Sequence, residues 1–266
     1  PISKNQGKSR WKLFDESMHK AAMIRLDLEN DLRRATASME AMNNEFRLLY
    51  QPIIDLSTGN IAGFEALIRW DHPELGLIQP DQFISVAEDI GTIIPIGEWT
   101  LRVACEQAVR WRKEFGDEKP LYVNVNLSRR QLVHTELITL LKNTIQQTGI
   151  RPEDLKLEIT ESTAMDSRFD AIEIMKRIRA LGIDLAFMLN MNNHREFCAL
   201  VHAIVTLAHN FDLQVVAEGI EDLDQVIQLQ SMDCSYAQGY YFSRPVDSAS
   251  ATNLLRNGLD SMPLAA

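Results

Sequence analysis

The stretch "GFEALIRW", residues 63–70, places two charged side chains in a run that otherwise has the composition of a buried strand. A glycine comes first, and apolar residues occupy both faces, which is typical of a parallel strand covered on both sides. Burying a charged group costs free energy unless the group is paired or bound to a metal. Glu65 and Arg69 therefore indicate either a salt-bridged strand end or a functional site.

Length and composition narrow the class of protein. The chain has 266 residues, of which 45% are hydrophobic, and a formal net charge of −10. One α/β barrel commonly takes ~250 residues. The negative charge argues against a nucleic-acid partner, although a bound metal ion can reverse the local charge of a site and so allow an anion to bind. Three scattered cysteines indicate reduced thiols, and no apolar run reaches the ~20 residues of a membrane span. We expect a cytoplasmic protein with no membrane span in this segment.

The first 40 residues differ from the rest of the chain. Residues 1–12 are basic and polar, and residues 16–39 have apolar side chains near helical spacing. This pattern predicts an amphipathic helix that either joins two domains, pairs with a copy of itself, or caps its own domain. We expect residues 1–40 to form a linker and this helix, and residues 41–266 to form one domain.

From residue 46 onward, strand-like runs alternate with helical ones, and the predicted helices include residues 129–149 and 196–210. This alternation predicts a parallel sheet or a barrel. The predicted strands are "FRLLYQPII", "IAGFEALIRW", "LYVNVNLS", "LKLEITES", "IDLAFML", "LQVVAEG" and "YAQGYYFS". These are seven strands, one fewer than an eight-stranded barrel needs. Polar residues lie near their carboxyl ends, where side chains converge in a barrel: Glu65, Arg69, Asn126, Glu158, Glu161, Glu218 and Gln238.

The residue types in this set favour one chemistry. Carboxylate and amide oxygens are the ligands of Mg²⁺ and Mn²⁺, which often share a site with phosphate. The six histidines are scattered and show no pair at zinc-binding spacing. Arg69 lies four residues after Glu65, on the same strand face, and its guanidinium could hold a phosphate. The residues therefore predict a site for a divalent cation and a phosphate.

Five ordered motifs carry a resemblance to a known family. "EALIR", "VNLS", "EITES", "VVAEGIED" and "QGYYFSRP" resemble the EAL domain family of cyclic di-GMP phosphodiesterases, over a region from about Phe46 to the end. The resemblance implies a (β/α)8 barrel of TIM type whose first strand is antiparallel to the others. It also implies hydrolysis of cyclic di-GMP to linear pGpG with two Mg²⁺ or Mn²⁺ ions.

The resemblance also implies a role for each matching residue. The metal ligands would be Glu65, Asn126, Glu158 and Glu218; of these, Glu65 and Glu218 would also be catalytic, together with Gln238, which would orient water or ligand. Arg69 would bind a substrate phosphate, and Gln51, Leu67 and Pro245 would line the nucleotide groove. Glu161 would position a loop near the metals. In a two-metal site the ions activate water and clamp the phosphodiester.

The amino-terminal segment resembles the end of a GGDEF domain followed by the helix that joins it to an EAL domain. This resemblance implies a preceding GGDEF or sensory domain in a longer protein, and the family implies a homodimer. The GGDEF signature is absent from the 266 residues, so we expect no synthesis of cyclic di-GMP by this segment.

One block of the family pattern is missing. EAL enzymes carry a "DDFGTG" loop after the fifth strand and a lysine in a "KID" motif on the sixth. In this sequence "LGIDLA" continues directly into "FMLNMNNHREFC". The gap corresponds to about one β/α unit of ~30 residues. The aspartates that bridge the two metals and the lysine that helps to position water would lie in this block.

Two interpretations of the gap are open. If the sequence is literal, the domain is degenerate and binds cyclic di-GMP or a partner protein without turnover. If a stretch is omitted, the domain is a complete phosphodiesterase. Loss of a barrel strand should leave both neighbours unpaired, at about 1–3 kcal/mol for each buried backbone group. Such losses would exceed a total stability of ~5–15 kcal/mol, which favours the complete enzyme.

Overall fold

The computed structural model describes residues 16–116, 121–159, 171–190 and 214–259. Within these ranges the helices are α1 (Glu16–Ala35), α2 (Met39–Glu45), α3 (Pro80–Ile90), α4 (Ile93–Phe115), α5 (Arg129–Leu132), α6 (Leu137–Thr148), α7 (Ala171–Arg179), α8 (Leu223–Ser231) and α9 (Ser248–Asn257). The strands are β1 (Phe46–Asp55), β2 (Ile61–His72), β3 (Gly76–Ile78), β4 (Tyr122–Asn126), β5 (Leu155–Ile159), β6 (Asp184–Asn190), β7 (Gln214–Glu218) and β8 (Tyr236–Ala237). None of the described helices is long and apolar enough to cross a membrane.

Seven of these strands form a closed ring. The order is β1, β8, β7, β6, β5, β4 and β2, and β2 pairs with β1 to close it. β1 is antiparallel to both of its neighbours, whereas the other strands in the ring are parallel. β4 and β5 are almost wholly buried, as expected for parallel strands covered by helices. The predicted α/β barrel with an antiparallel first strand is confirmed.

The place where the block is missing, between Ala186 and Phe187, lies inside β6, and this strand pairs with a neighbour on each side. β6 and β7 form five residue pairs, from Ala186–Gln214 to Asn190–Glu218. The expectation that loss of one unit would leave its neighbours unpaired is therefore wrong. A ring of fewer strands has a smaller diameter but leaves no sheet edge open. The closed barrel does not require the additional unit.

The segment before residue 40 packs against the barrel. Leu32 and Ala35 of α1 are fully buried within the main hydrophobic core. Two indole groups fasten the segment that follows: Trp70 Nε1 donates to Glu45 Oε2 at 3.1 Å, and Trp99 Nε1 donates to Asn43 Oδ1 at 2.7 Å. Of the three arrangements open for the predicted helix, the contacts of its last turns are those of a helix that caps its own domain.

Three details differ from the predicted elements. The short strand β3 was not predicted; it pairs with the end of β2 through residues 70–72. The helix predicted over residues 129–149 is divided into α5 and α6, because the backbone turns at residues 133–136, where His134 N donates to Gln131 O. The last predicted strand keeps only Tyr236–Ala237. The helix predicted over residues 196–210 lies outside the described residues.

Gly63, the first residue of the opening motif, permits a close approach between β2 and β4. A Cβ atom at this position would lie 2.5 Å from the carbonyl oxygen of Tyr122 and 2.8 Å from its ring. Such distances are far inside van der Waals contact, so only glycine fits here. The absence of a side chain lets the Tyr122 ring lie against the β2 backbone.

The β6–β7 pairing can be tested by hydrogen exchange. We expect the backbone amides of residues 185–189 and 215–218 to be protected to an extent similar to those of β4 and β5, because all four strands lie in one closed ring. The exposed turn at residues 57–60, whose amides donate only locally, to Asp55 and Thr58, provides the weakly protected reference. Exchange of the β6 amides as rapid as that of this turn would contradict the direct pairing.

Candidate metal site

Three glutamates from three strands meet at the carboxyl-terminal mouth of the barrel. Glu65 of β2, Glu158 of β5 and Glu218 of β7 each offer a carboxylate oxygen, and these three atoms lie within 4.8 Å of one another. Glu65 and Glu158 are buried, whereas Glu218 is partly exposed. The site is therefore open to ligands on the Glu218 side.

Two side-chain amides fix the carboxylate of Glu65. Asn126 Nδ2 donates to Glu65 Oε1 at 2.5 Å, and Gln238 Nε2 donates to Glu65 Oε2. Gln238 Nε2 also lies 3.4 Å from Glu218 Oε1. The structure thus brings together five of the predicted site residues, namely Glu65, Asn126, Glu158, Glu218 and Gln238.

Sequence reasoning missed Asn124. This buried side chain donates from Nδ2 to Glu158 Oε2 at 2.9 Å and so orients that carboxylate. The signal was available, because Asn124 and Asn126 are two residues apart in "NVN" and share one face of β4. Only the second asparagine was considered, because only it belongs to "VNLS".

The backbone around Gln238 holds its side chain beside Glu218. Gln238 N donates to Ala217 O at 2.8 Å, and Ile220 N donates to Gln238 O at 3.2 Å. The next residue, Gly239, lies so close to Ile220 that a Cβ atom would be 2.1 Å from the Ile220 oxygen. The glycine of "QGYYF" is therefore needed for this crossing of two chain segments.

The buried acids repel one another. Burial raises the pKa of Glu65, and it raises the pKa of Glu158 further because Glu65 and Glu218 add their negative charges. Burial and the charge of Glu65 raise the pKa of Glu218 to about 8. The amides of Asn126 and Gln238 oppose the shift at Glu65. Without a cation, Glu218 therefore favours its protonated form at neutral pH.

The donor set fits a hard divalent cation. The three carboxylates are oxygen ligands close enough to share one ion. Gln238 Oε1 is buried and has no hydrogen-bond partner among the described residues, so a further oxygen is available at the same place. A positive ion would relieve the repulsion that raises the three pKa values. Glu65, Glu158 and Glu218, with Asn126, are the residues that could hold it.

The other predicted site residues lie around this cluster. Gln51 is buried opposite Glu65 in the β1–β2 register, and its Nε2 donates to Ser243 O at 3.0 Å. Burial lowers the pKa of Arg69, which the charge of Glu65 opposes, so the two residues interact electrostatically. Leu67 and Pro245 are half-buried. Glu161 lies outside the described residues.

Comparison with known proteins identifies the family. The EAL domain family model matches residues 29–187 and 183–245. The two matches overlap at residues 183–187, where the sequence lacks the "DDFGTG" and "KID" block. A signalling protein of Caulobacter vibrioides is 35% identical over 91% of this chain and 32% of its own length. The bifunctional diguanylate cyclase/cyclic di-GMP phosphodiesterase MucR of Pseudomonas aeruginosa is 33% identical over 92% of this chain and 38% of its own length.

Solved structures agree with this result. The PaMucR phosphodiesterase in complex with c-di-GMP has a TM-score of 0.76 at 31% identity, over 85% of this chain and 99% of that one. The EAL enzyme Bd1971, bound to cAMP and cyclic-di-GMP, has a TM-score of 0.77 at 29% identity, over 90% and 71% of the two chains.

Fold and site define an α/β barrel with an acidic centre at its carboxyl-terminal mouth. The chain belongs to the EAL domain family. It spans about a third to two fifths of the length of these curated relatives.

The raised pKa values predict how stability without metal depends on pH. Glu218 binds its proton more tightly in the folded state, with a pKa of about 8, than in the unfolded state, where the pKa of a glutamate is about 4.5. In EDTA, the free energy of unfolding should therefore fall as pH rises from about 4.5 to 8, by up to about 1.4 kcal/mol per pH unit for this group. Urea unfolding at several pH values measures it. Glu218→Gln should flatten the dependence, whereas the exposed Glu221→Gln should not.

The donor set predicts stabilisation by a cation. Mn²⁺ at about 100 times its dissociation constant should add about 2.7 kcal/mol to the free energy of unfolding. Glu158→Gln should lose most of this gain, because it removes a charged ligand. The matched control is Glu153→Gln. Glu153 is exposed and lies two residues before the start of β5, the strand that carries Glu158. A wild-type Tm that does not change with Mn²⁺ would contradict the metal site.

Proposed function

We propose that this domain binds cyclic di-GMP together with a divalent cation, and that it does not hydrolyse the ligand. The observation that carries the proposal is a cluster with three carboxylates in place, in a barrel that closes without the block containing "DDFGTG" and "KID". The relatives support the ligand, since the PaMucR and Bd1971 structures are c-di-GMP complexes.

The residues present are suited to holding a phosphodiester. A bound Mg²⁺ or Mn²⁺ would neutralise the acids and attract a phosphate oxygen. The half-buried guanidinium of Arg69 would contact a second phosphate oxygen, and Leu67 and Pro245 would form apolar walls for the nucleotide. Gln51 would act indirectly, because its side chain donates a hydrogen bond to the Ser243 carbonyl beside the groove.

The absence of turnover follows from the missing groups. In the family resemblance, two aspartates bridge the metals and a lysine positions water, and neither motif occurs in the 266 residues. At the corresponding place β6 continues from "IDLA" into "FMLN". Asn190, at the end of β6, lies in register with Glu218 but carries no charge. A site with one ion and no positioned base binds its ligand without lowering the barrier to hydrolysis.

The same resemblance supports the assembly. We infer that the segment belongs to a longer cytoplasmic signalling protein with a GGDEF or sensory domain before it, as the bifunctional relative MucR suggests. The homodimer remains a prediction, which light scattering can check. A mass equal to one chain at high concentration would count against it.

The test of function separates binding from hydrolysis. Isothermal titration with cyclic di-GMP and Mn²⁺ should give binding, while chromatography after prolonged incubation with Mg²⁺ or Mn²⁺ should show no pGpG above the blank. The PaMucR phosphodiesterase serves as the positive control. Formation of pGpG that Glu65→Gln abolishes would overturn the absence of turnover and establish a hydrolase. A hydrolase is the second candidate function, and the three retained acids favour it. No binding would overturn the whole proposal.

Arg69 tests the phosphate contact. Replacing it by methionine removes one charge-assisted hydrogen bond, so affinity for cyclic di-GMP should fall by about tenfold, or about 1.4 kcal/mol. Arg102→Met is the matched control, since Arg102 pairs with Glu106 on α4. Equal losses in the two variants would show that Arg69 contributes only general positive charge.

A further inference from the structure

A second cavity opens at the amino-terminal mouth of the barrel, opposite the acidic cluster. Its volume is about 760 Å³, within the range of ~300–1,000 Å³ typical of sites for small molecules. The beginnings of β2, β4, β5 and β8 and the end of α9 line it. The charged and polar residues that bear on its chemistry are Lys156, Tyr122, Asp55 and Arg256, and the Arg256 guanidinium forms an ion pair with Glu114, which lies outside the lining.

Lys156 brings a buried ammonium group to this cavity. The residue is 5% exposed, and its Nζ lies 3.5 Å from the centroid of the Tyr122 ring. Among the described residues its side chain makes one hydrogen bond, to Gln214 Oε1. An ammonium group has three donors, so the contacts of Lys156 leave donor capacity for an acceptor in the cavity.

Tyr122 supplies a second donor. Its hydroxyl group is buried and has no hydrogen-bond partner among the described residues, although a buried hydroxyl normally finds one. The ring is held in place by the bare backbone of Gly63 on one side and by the Lys156 ammonium over its face. Both donors therefore belong to residues that line the cavity, and an oxygen-bearing ligand group that packs beside the Tyr122 ring could accept from both.

The apolar lining of the cavity and the negative charge of Asp55 limit the class of ligand that the cavity could bind. Ile61, Leu254 and Leu255 offer apolar surface next to the ring of Tyr236. Asp55 also lines the cavity, and its Oδ1 accepts from Ser57 N at 2.8 Å and Ser57 Oγ at 2.6 Å, which lowers its pKa and keeps it charged. A fixed negative charge at the mouth disfavours a doubly charged phosphate. Because Glu114 pairs with Arg256, a group with one negative charge remains the best match for the Lys156 ammonium.

We propose that this cavity binds a small organic acid, whose single carboxylate accepts hydrogen bonds from Lys156 and Tyr122 and whose apolar body lies against the aliphatic wall. The site shares no residue with the acidic cluster and does not depend on binding of cyclic di-GMP. Its natural ligand would be a monocarboxylate of the size of a short fatty acid or an aromatic acid.

The experiment titrates benzoate, phenylacetate and hexanoate into the whole chain, each beside its neutral primary amide, with ligand-observed NMR as the readout. At least one carboxylate should bind with a Kd below about 1 mM, and its amide should bind at least about tenfold more weakly. Lys156→Met should abolish the preference for the acid. Lys142→Met, which changes an exposed lysine of α6, should leave it unchanged.

Two further variants keep the test decisive. Tyr122→Phe removes only an oxygen that has no partner in the described part of the chain, so the protein should fold with unchanged or higher Tm while affinity for the acid falls by at least about threefold. Glu65→Gln should leave binding of the acid unchanged, which separates this cavity from the metal site. Failure of all three acids to bind the wild-type protein, or binding that survives both Lys156→Met and Tyr122→Phe, would overturn the proposal.

Discussion

Closure of the seven-stranded ring is the constraint on which the rest of the structure depends. β1 is antiparallel and hydrogen-bonds to both β2 and β8, and β6 bonds directly to β7. Because every strand of the ring is hydrogen-bonded on both sides, the position of each residue along the barrel axis and the direction of its side chain are fixed. The three glutamates meet only because β2, β5 and β7 are held in this ring, and the cavity at the other mouth is lined by the beginnings of β2, β4, β5 and β8.

Much of this arrangement could be predicted from the sequence. Runs rich in apolar residues identify the strands, and all seven predicted strands are present in the ring. The acidic cluster also follows from the sequence, since parallel strands bring their carboxyl ends to one mouth. Glu158 and Glu218 lie at or next to such an end, whereas Glu65 lies midway along the longer β2. Local pattern and global topology agree at these positions.

Other features depend on contacts between distant residues and could not be predicted. The loss of one unit was expected to open the sheet, but the cost of unpaired backbone applies only if the neighbouring strands stay apart, and here they pair. Lys156 could not be recognised in the sequence as a buried residue, because a single lysine in a predicted strand normally lies at an exposed strand end. Its burial depends on the Tyr122 ring, 34 positions earlier in the sequence, and on Gln214, which the β6 ladder brings near.

The seven-stranded ring also bears on the chemistry of the acidic site. Only β6 separates β5 from β7, so Glu158 and Glu218 face each other across a single strand, in a barrel of smaller diameter than one of eight strands. Shorter distances between buried carboxylates increase their repulsion, which raises their pKa values and increases the benefit of a bound cation.

Two-metal sites place their ions about 3.5–4 Å apart and need ligands on both sides. Three carboxylates whose ligand atoms all lie within 4.8 Å enclose one ion more readily than two. We infer that a barrel without this unit would still attract one cation but would lack ligands for a second ion.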